Sequence, residues 1–159
     1  MLLMIAGVLC QSCAAPEPQG PRVMDERRLR SLRPQTMEMI FNGAEDRNRD
    51  GFIDRLDFTI ILFARDGDIF AGVPARGDLY FRLFDPSAEL IADWIVRADV
   101  LAKAESMFNG NIQYPLKLRV VREELEGDLP RFGIMVCEYI PAIEGDRKIT
   151  QMTEVPLVR

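Results

Sequence analysis

From residue 111 to residue 120 the chain alternates with a period of two. Ile112, Tyr114, Leu116, Leu118 and Val120 fall on one parity, and Asn111, Gln113, Lys117 and Arg119 on the other. Such a rhythm puts one set on each face of an extended strand, whereas a helix would spread both sets around its circumference. A strand with one oily face must be covered, so this segment commits the chain to a sheet stacked on another layer. Pro115 interrupts the run. Proline has no N–H to give to a ladder, so the strand is expected at an edge.

The same rhythm recurs. In residues 52–64, the longest and most apolar strand candidate, Leu56, Phe58, Ile60 and Leu62 alternate with Arg55, Asp57, Thr59 and Ile61. Residues 78–85 set Leu79, Phe81 and Leu83 against Tyr80, Arg82 and Phe84. Met37, Met39 and Phe41 alternate with Glu38 and Ile40, residues 132–140 carry Cys137 inward, and residues 148–155 end the series before Pro156. Turns are marked by Asp66-Gly67, Asn109-Gly110 and Glu144-Gly145-Asp146. Gly72, Pro74 and Gly77 predict an irregular segment, and the acidic stretch 123–128 a loop.

Residues 86–108 read in two ways. One is a strand over 90–96 with Trp94 inward, then a helix over 99–107. The other is a single helix with Asp85 as N-cap and Pro86 at its first position. The β-branched Ile91, Ile95 and Val96 favour the first. Tyr80, Phe84 and Trp94 serve either a ligand groove or inter-sheet packing. About seven short strands separated by turns predict a mainly β chain: a single antiparallel β-sandwich with a short helix. The body is similar to the small Ig-like or C2-like domains of bacterial envelope lipoproteins.

At 159 residues the chain is one domain's worth and can bury a core without staples. Residues 1–9 are apolar except for Gly7, too few to span a bilayer as a helix. Small residues and then a Pro-rich stretch follow, the layout of a signal peptide. Cys13 follows the small Ser12, and Cys10 follows Leu9. This N-terminus resembles a bacterial lipoprotein signal, which implies lipidation of Cys13, or of Cys10 in the alternative, and attachment to the membrane of the cell envelope. No Lys or Arg precedes Arg22, so the other reading is a buried N-terminal strand or a loose tail. Residues 14–34 hold Pro16, Pro18, Pro21 and Pro34 with the basic cluster Arg27, Arg28, Arg30 and Arg33, which predicts a solvated linker. The expected organisation is anchor 1–13, linker 14–34 and sandwich 35–159.

The residue inventory removes several chemistries. There is no histidine, which excludes Ser-His and Cys-His nucleophile pairs and His-based zinc sites. The net charge of −5 argues against a nucleic-acid partner. Cys137 reads as a small buried apolar side chain. The chain is therefore expected to be non-enzymatic, with a protein or glycan partner that the sequence does not name. A two-carboxylate hydrolase, pairing Asp85 with an aspartate of residues 46–57, is the least favoured reading.

Residues 46–58 are the one stretch whose spacing points to a specific chemistry. Oxygen-bearing Asp46, Asn48, Asp50, Asp54 and Asp57 recur at short intervals, with Gly51 where the chain must turn and apolar Ile53 and Phe58 as anchors. Calcium takes six to eight such oxygens. The stretch resembles the EF-hand loop and the related loop of dockerin modules. That resemblance implies a calcium site formed by Asp46, Asn48, Asp50, the backbone carbonyl of Phe52, Asp54 and Asp57. Arg47, Arg49 and Arg55 leave the four aspartates a net formal charge of only −1, and Asp57 is one methylene shorter than the usual glutamate, so affinity is expected to be weak. The other reading is a polar hairpin tip, since Asp, Asn and Gly form turns for local reasons. The alternation that follows residue 54 favours a tip between strands over a loop between helices.

Overall fold

The alternating segments become strands. A computed structural model describes residues 24–121 and 130–158. Cys10, Cys13 and the acidic stretch 123–128 lie outside the described residues. In chain order the elements are α1 (Glu26–Leu29), β1 (Thr36–Glu45), β2 (Arg55–Asp66), β3 (Ile69–Val73), β4 (Gly77–Phe84), β5 (Leu90–Val96), α2 (Ala98–Ala104), β6 (Ser106–Phe108), β7 (Asn111–Arg119), β8 (Phe132–Pro141) and β9 (Ile149–Pro156). They form a mainly β molecule of two antiparallel sheets with short helical turns, the sandwich that the alternation predicts.

The first sheet runs β1-β2-β7-β6. One edge of β2 is paired with β1 almost throughout, and the other is shared by β7 over Arg55–Ile60 and β3 over Leu62–Asp66. The second sheet runs β5-β4-β8-β9. Inward residues of β2 and β4 face each other: Leu56, Phe58, Ile60 and Leu62 from one, Leu79, Phe81 and Leu83 from the other, all fully buried. The rings of Phe58 and Phe81 meet across the interface with centroids 6.1 Å apart. Each such side chain contributes about 1.5–3 kcal/mol by leaving water. Trp94 turns inward on β5 and its Nε1 donates to the Arg119 carbonyl on β7 at 2.9 Å, tying the two sheets at one edge.

Several local expectations are corrected. The segment with Gly72 and Pro74 is not irregular throughout, because residues 69–73 form β3. A Cβ at Gly72 would meet the Ile112 carbonyl at 2.8 Å, so glycine is what lets β3 lie against the start of β7. The second helix ends at Ala104, and Ser106 and Met107, expected within it, belong to β6 and pair with β7 instead. That pairing stops at Gln113, so among the described residues β7 has no strand on that side where Pro115 stands. Phe52 and Ile53 precede β2 rather than begin it.

The end of the stretch read as linker is packed on the domain. Met24 and Leu29 are buried in the core cluster, and Leu32 packs against it. Asp25 caps the single turn of α1, which turns Leu29 inward. The arginines around it are ion-paired: Arg28 to Asp66, Arg30 to Glu105 at 2.7 Å, and Arg33 to Asp146 at 2.6 Å. Apolar anchors three to five residues apart in a short turn give no periodic run, so charge and proline dominate that stretch of sequence.

Candidate functional site

Residues 46–54 join β1 to β2, so the acidic stretch is a hairpin tip between strands, with no helix on either side. Glu45 and Arg55 form the last pair of the ladder, and the Asp54 amide closes it onto the Glu45 carbonyl at 2.9 Å. Ile53 is buried, and its amide donates to the Leu157 carbonyl at 3.1 Å. Phe52 forms an isolated bridge to Val158, and Val120 donates to the Asp54 carbonyl at 2.8 Å. The tip is thus clamped from both sheets.

Its polar side chains serve the loop's own backbone. Asp46 accepts from Arg49 N through Oδ1 at 2.6 Å and from Gly51 N through Oδ2 at 3.1 Å. Asn48 accepts from Asp50 N at 3.1 Å, and Asp50 accepts from Phe52 N at 2.9 Å. Asp54 Oδ2 accepts from Arg47 N at 2.6 Å and Asn48 N at 3.3 Å. These bonds satisfy amides that the turn leaves without ladder partners, in the manner of Asx turns. Arg49 and Gly51 take positive φ of 61° and 91°, the reversals the turn requires.

The structure brings Asp46, Asn48, Asp50 and Asp54 into one loop but leaves Asp57 out of it. Asp57 lies on β2 and is gripped by Arg55, Nε to Oδ1 at 2.8 Å and Nη2 to Oδ2 at 3.2 Å. Among the described residues no three acidic side chains converge on a point able to hold a metal. Arg47, Asn48, Asp54, Arg55, Lys117 and Arg119 line a cleft of about 450 Å³ beside the tip.

Comparison with protein-family models, curated proteins and solved structures finds no match.

The other acids and the thiol are committed elsewhere. Asp85 Oδ1 accepts from Glu89 N at 2.8 Å and holds the β4–β5 turn. Cys137 is fully buried with Sγ 3.9 Å from Met37 Sδ, and burial pushes its thiol well above the ordinary range. A thiol held protonated this way is no nucleophile.

A second surface lies on the outer face of the second sheet. Phe84, Leu90, Phe132, Ile134, Val136 and Met152 all point away from the core there. Register makes them neighbours: Phe84 pairs with Leu90 and Ile134, Val136 with Met152, and Phe132 with Pro156. Met152 is 67% exposed and Leu90 56%. Arg82, Asp93, Glu138 and Glu154 stand on the same face, with Arg82 5.9 Å from the centre of the Phe84 ring. The signal was present in sequence as runs whose two parities are both apolar, such as residues 132–136. Placing Cys137 inward already puts Phe132, Ile134 and Val136 outward; what the pairing adds is which residues of β4, β5 and β9 lie beside them.

Proposed function

We propose that this chain is a non-enzymatic binding domain of a bacterial envelope lipoprotein. A lipid on Cys13, or on Cys10, holds it at the membrane, and the outer face of the second sheet docks a protein partner. The observation that carries the binding reading is the concentration of apolar side chains on that face, centred on Ile134 and Met152. Contiguous exposed apolar surface of this kind marks interaction sites in soluble domains. Its rim carries both signs of charge: Arg82, which stands opposite Asp93 and is bonded to Glu138 at 3.4 Å, and Glu154 beside Ile134 on β9. An apolar centre with a mixed polar rim suits a protein surface, whereas an anionic membrane or a polyanion selects a single sign. The anchor rests on the N-terminal sequence.

Two measurements test this. Mass spectrometry of the envelope fraction is expected to find a lipid-modified Cys13, or Cys10, as the first residue; an unprocessed Met1 overturns the anchor. A photo-crosslinking side chain placed at position 134 in cells is expected to give one discrete protein adduct. Met152→Asp should abolish that adduct without lowering the melting temperature. No adduct, or one indifferent to Met152→Asp, overturns the docking face.

A further inference from the structure

The outer face of the first sheet ends, beside the hairpin tip, in four cations. Arg47 comes from the loop, Arg55 from β2, and Lys117 and Arg119 from β7; with Asn48 and Asp54 they line the 450 Å³ cleft. Across the β2–β7 ladder Lys117 stands opposite Asp57, but Arg119 stands directly opposite Arg55. Like charges opposed across two strands destabilise a sheet unless an anion lies between them. Arg55 is committed to Asp57 and, at 2.7 Å, to Glu45, which Arg47 also reaches at 3.3 Å. The Arg119 guanidinium and the Lys117 ammonium have no carboxylate partner among the described residues.

The one acid in the lining does not compensate them, since Asp54 Oδ2 is turned onto the Arg47 and Asn48 amides. Counting Glu45 and Asp57 as well, four cations face three carboxylates, a local surplus on a chain whose net charge is −5. The surplus resides on Lys117 and Arg119, both exposed and both projecting from a strand whose position is fixed. The Arg119 carbonyl accepts from Trp94 Nε1, and the next residue, Val120, is bonded to the tip through the Asp54 carbonyl.

We infer that this cleft is an anion site and that its ligand carries a phosphate group. A guanidinium fork matches two phosphate oxygens at once, an ammonium supplies a point charge to a third, and the multiple charge of phosphate answers two cations that lack a carboxylate partner among the described residues better than one carboxylate does. The stretch that spells a cation loop in sequence thus borders a site of opposite preference, because Asp46, Asp50 and Asp54 cap their own turn while Arg47 and Arg55 line the cleft. The site lies on the opposite outer face from the apolar patch and does not depend on it.

The phosphate has two sources, a soluble phosphate ester or a phospholipid headgroup, and the test separates them. In one arm the full chain is titrated with pyrophosphate at constant ionic strength, and the amide resonances of Lys117 and Arg119 are followed. In the other it is sedimented with phosphatidylglycerol vesicles and, as reference, phosphatidylcholine vesicles. Saturable shifts are expected, weakened about tenfold in Arg119→Gln, the worth of one charge-assisted hydrogen bond, and abolished in Lys117→Gln/Arg119→Gln. Both positions are exposed and Arg119→Gln relieves the opposition to Arg55, so neither variant is expected to melt below the parent. Preference for phosphatidylglycerol that pyrophosphate reverses assigns the lipid source; pyrophosphate binding without vesicle preference assigns the soluble one. Absence of both effects, or effects that survive the double substitution, overturns the inference.

Discussion

Tyr114 and Tyr139 come from different sheets and hold the same short segment. Tyr114 Oη accepts from Ala75 N at 2.6 Å, and Tyr139 Oη accepts from Arg76 N at 3.0 Å, where the chain crosses between sheets. Both rings are buried, while Ala75 is half-buried and Arg76 exposed, so the Ala75 amide depends more on its tyrosine. Tyr114→Phe is expected to cost about 1–2 kcal/mol by stranding the Ala75 amide, read as a lower midpoint in urea. Burial pushes the Tyr114 phenol from its ordinary 10.0 up to about 12. Below pH 10 the group is neutral whether folded or not. Between pH 10 and 12 the unfolded phenol ionises while the folded one keeps its proton, so its contribution to stability falls as pH rises through that window. Tyr114→Phe should flatten this alkaline decline, and an unchanged slope would refute the assignment. At the tip, Asp54→Ala removes the acceptor of two loop amides and is expected to cost about 1–2 kcal/mol. Since the same carboxylates cap the turn, millimolar calcium is expected to leave the parent's melting temperature unchanged; a saturable rise would restore the metal reading. The inward side of Tyr114 was legible from its parity. Its partner was not, because Ala75 lies 39 residues away and has no side-chain signal of its own.

Among the elements, α1 departs furthest from what the sequence suggests. Four residues of helix with arginines on either side read as solvated spacer, yet Leu29 is 2% exposed and four ion-paired or capped neighbours fix the turn. The strands were legible because a two-residue period over eight or more residues is hard to imitate by chance, as in β2 and β7. The shortest elements, α1, β3 and β6, of three to five residues, were not, since they are held by what they lie against. Gly72 in β3 is chosen by the backbone of β7, and β6 is placed by three pairs with residues 111–113. Leu29→Ala separates the two readings of residues 24–34. Packed as observed, the variant loses about 2–5 kcal/mol, as buried leucines do. A solvated linker would tolerate it within about 0.5 kcal/mol.

At the scale of the whole molecule, the question is whether the two sheets are one cooperative unit. Among the described residues β1-β2-β7-β6 and β5-β4-β8-β9 share no strand, and their backbones meet at the Phe52–Val158 bridge and the Ile53–Leu157 bond beside the tip. Elsewhere side chains join them: the Phe58–Phe81 contact, the Trp94 bond to Arg119 and the tyrosines that meet residues 75–76. The chain also crosses between sheets repeatedly, with β1, β2 and β3 in the first, β4 and β5 in the second, β6 and β7 in the first, and β8 and β9 in the second. A sheet that unfolded alone would expose the inner face of the other, so the sequence's strict alternation predicts a single transition. Phe58 tests this because it touches Phe41 within its own sheet, centroids 5.5 Å apart, and Phe81 in the other. Phe58→Ala is expected to cost about 3–5 kcal/mol. Hydrogen exchange should then accelerate equally in β2 and in β4 and β8, because every amide in both ladders opens through the same global event. Faster exchange confined to β1 and β2, with β8 unchanged, would show instead that the second sheet stands without the first. The apolar outer face and the cationic cleft would then belong to separately stable halves.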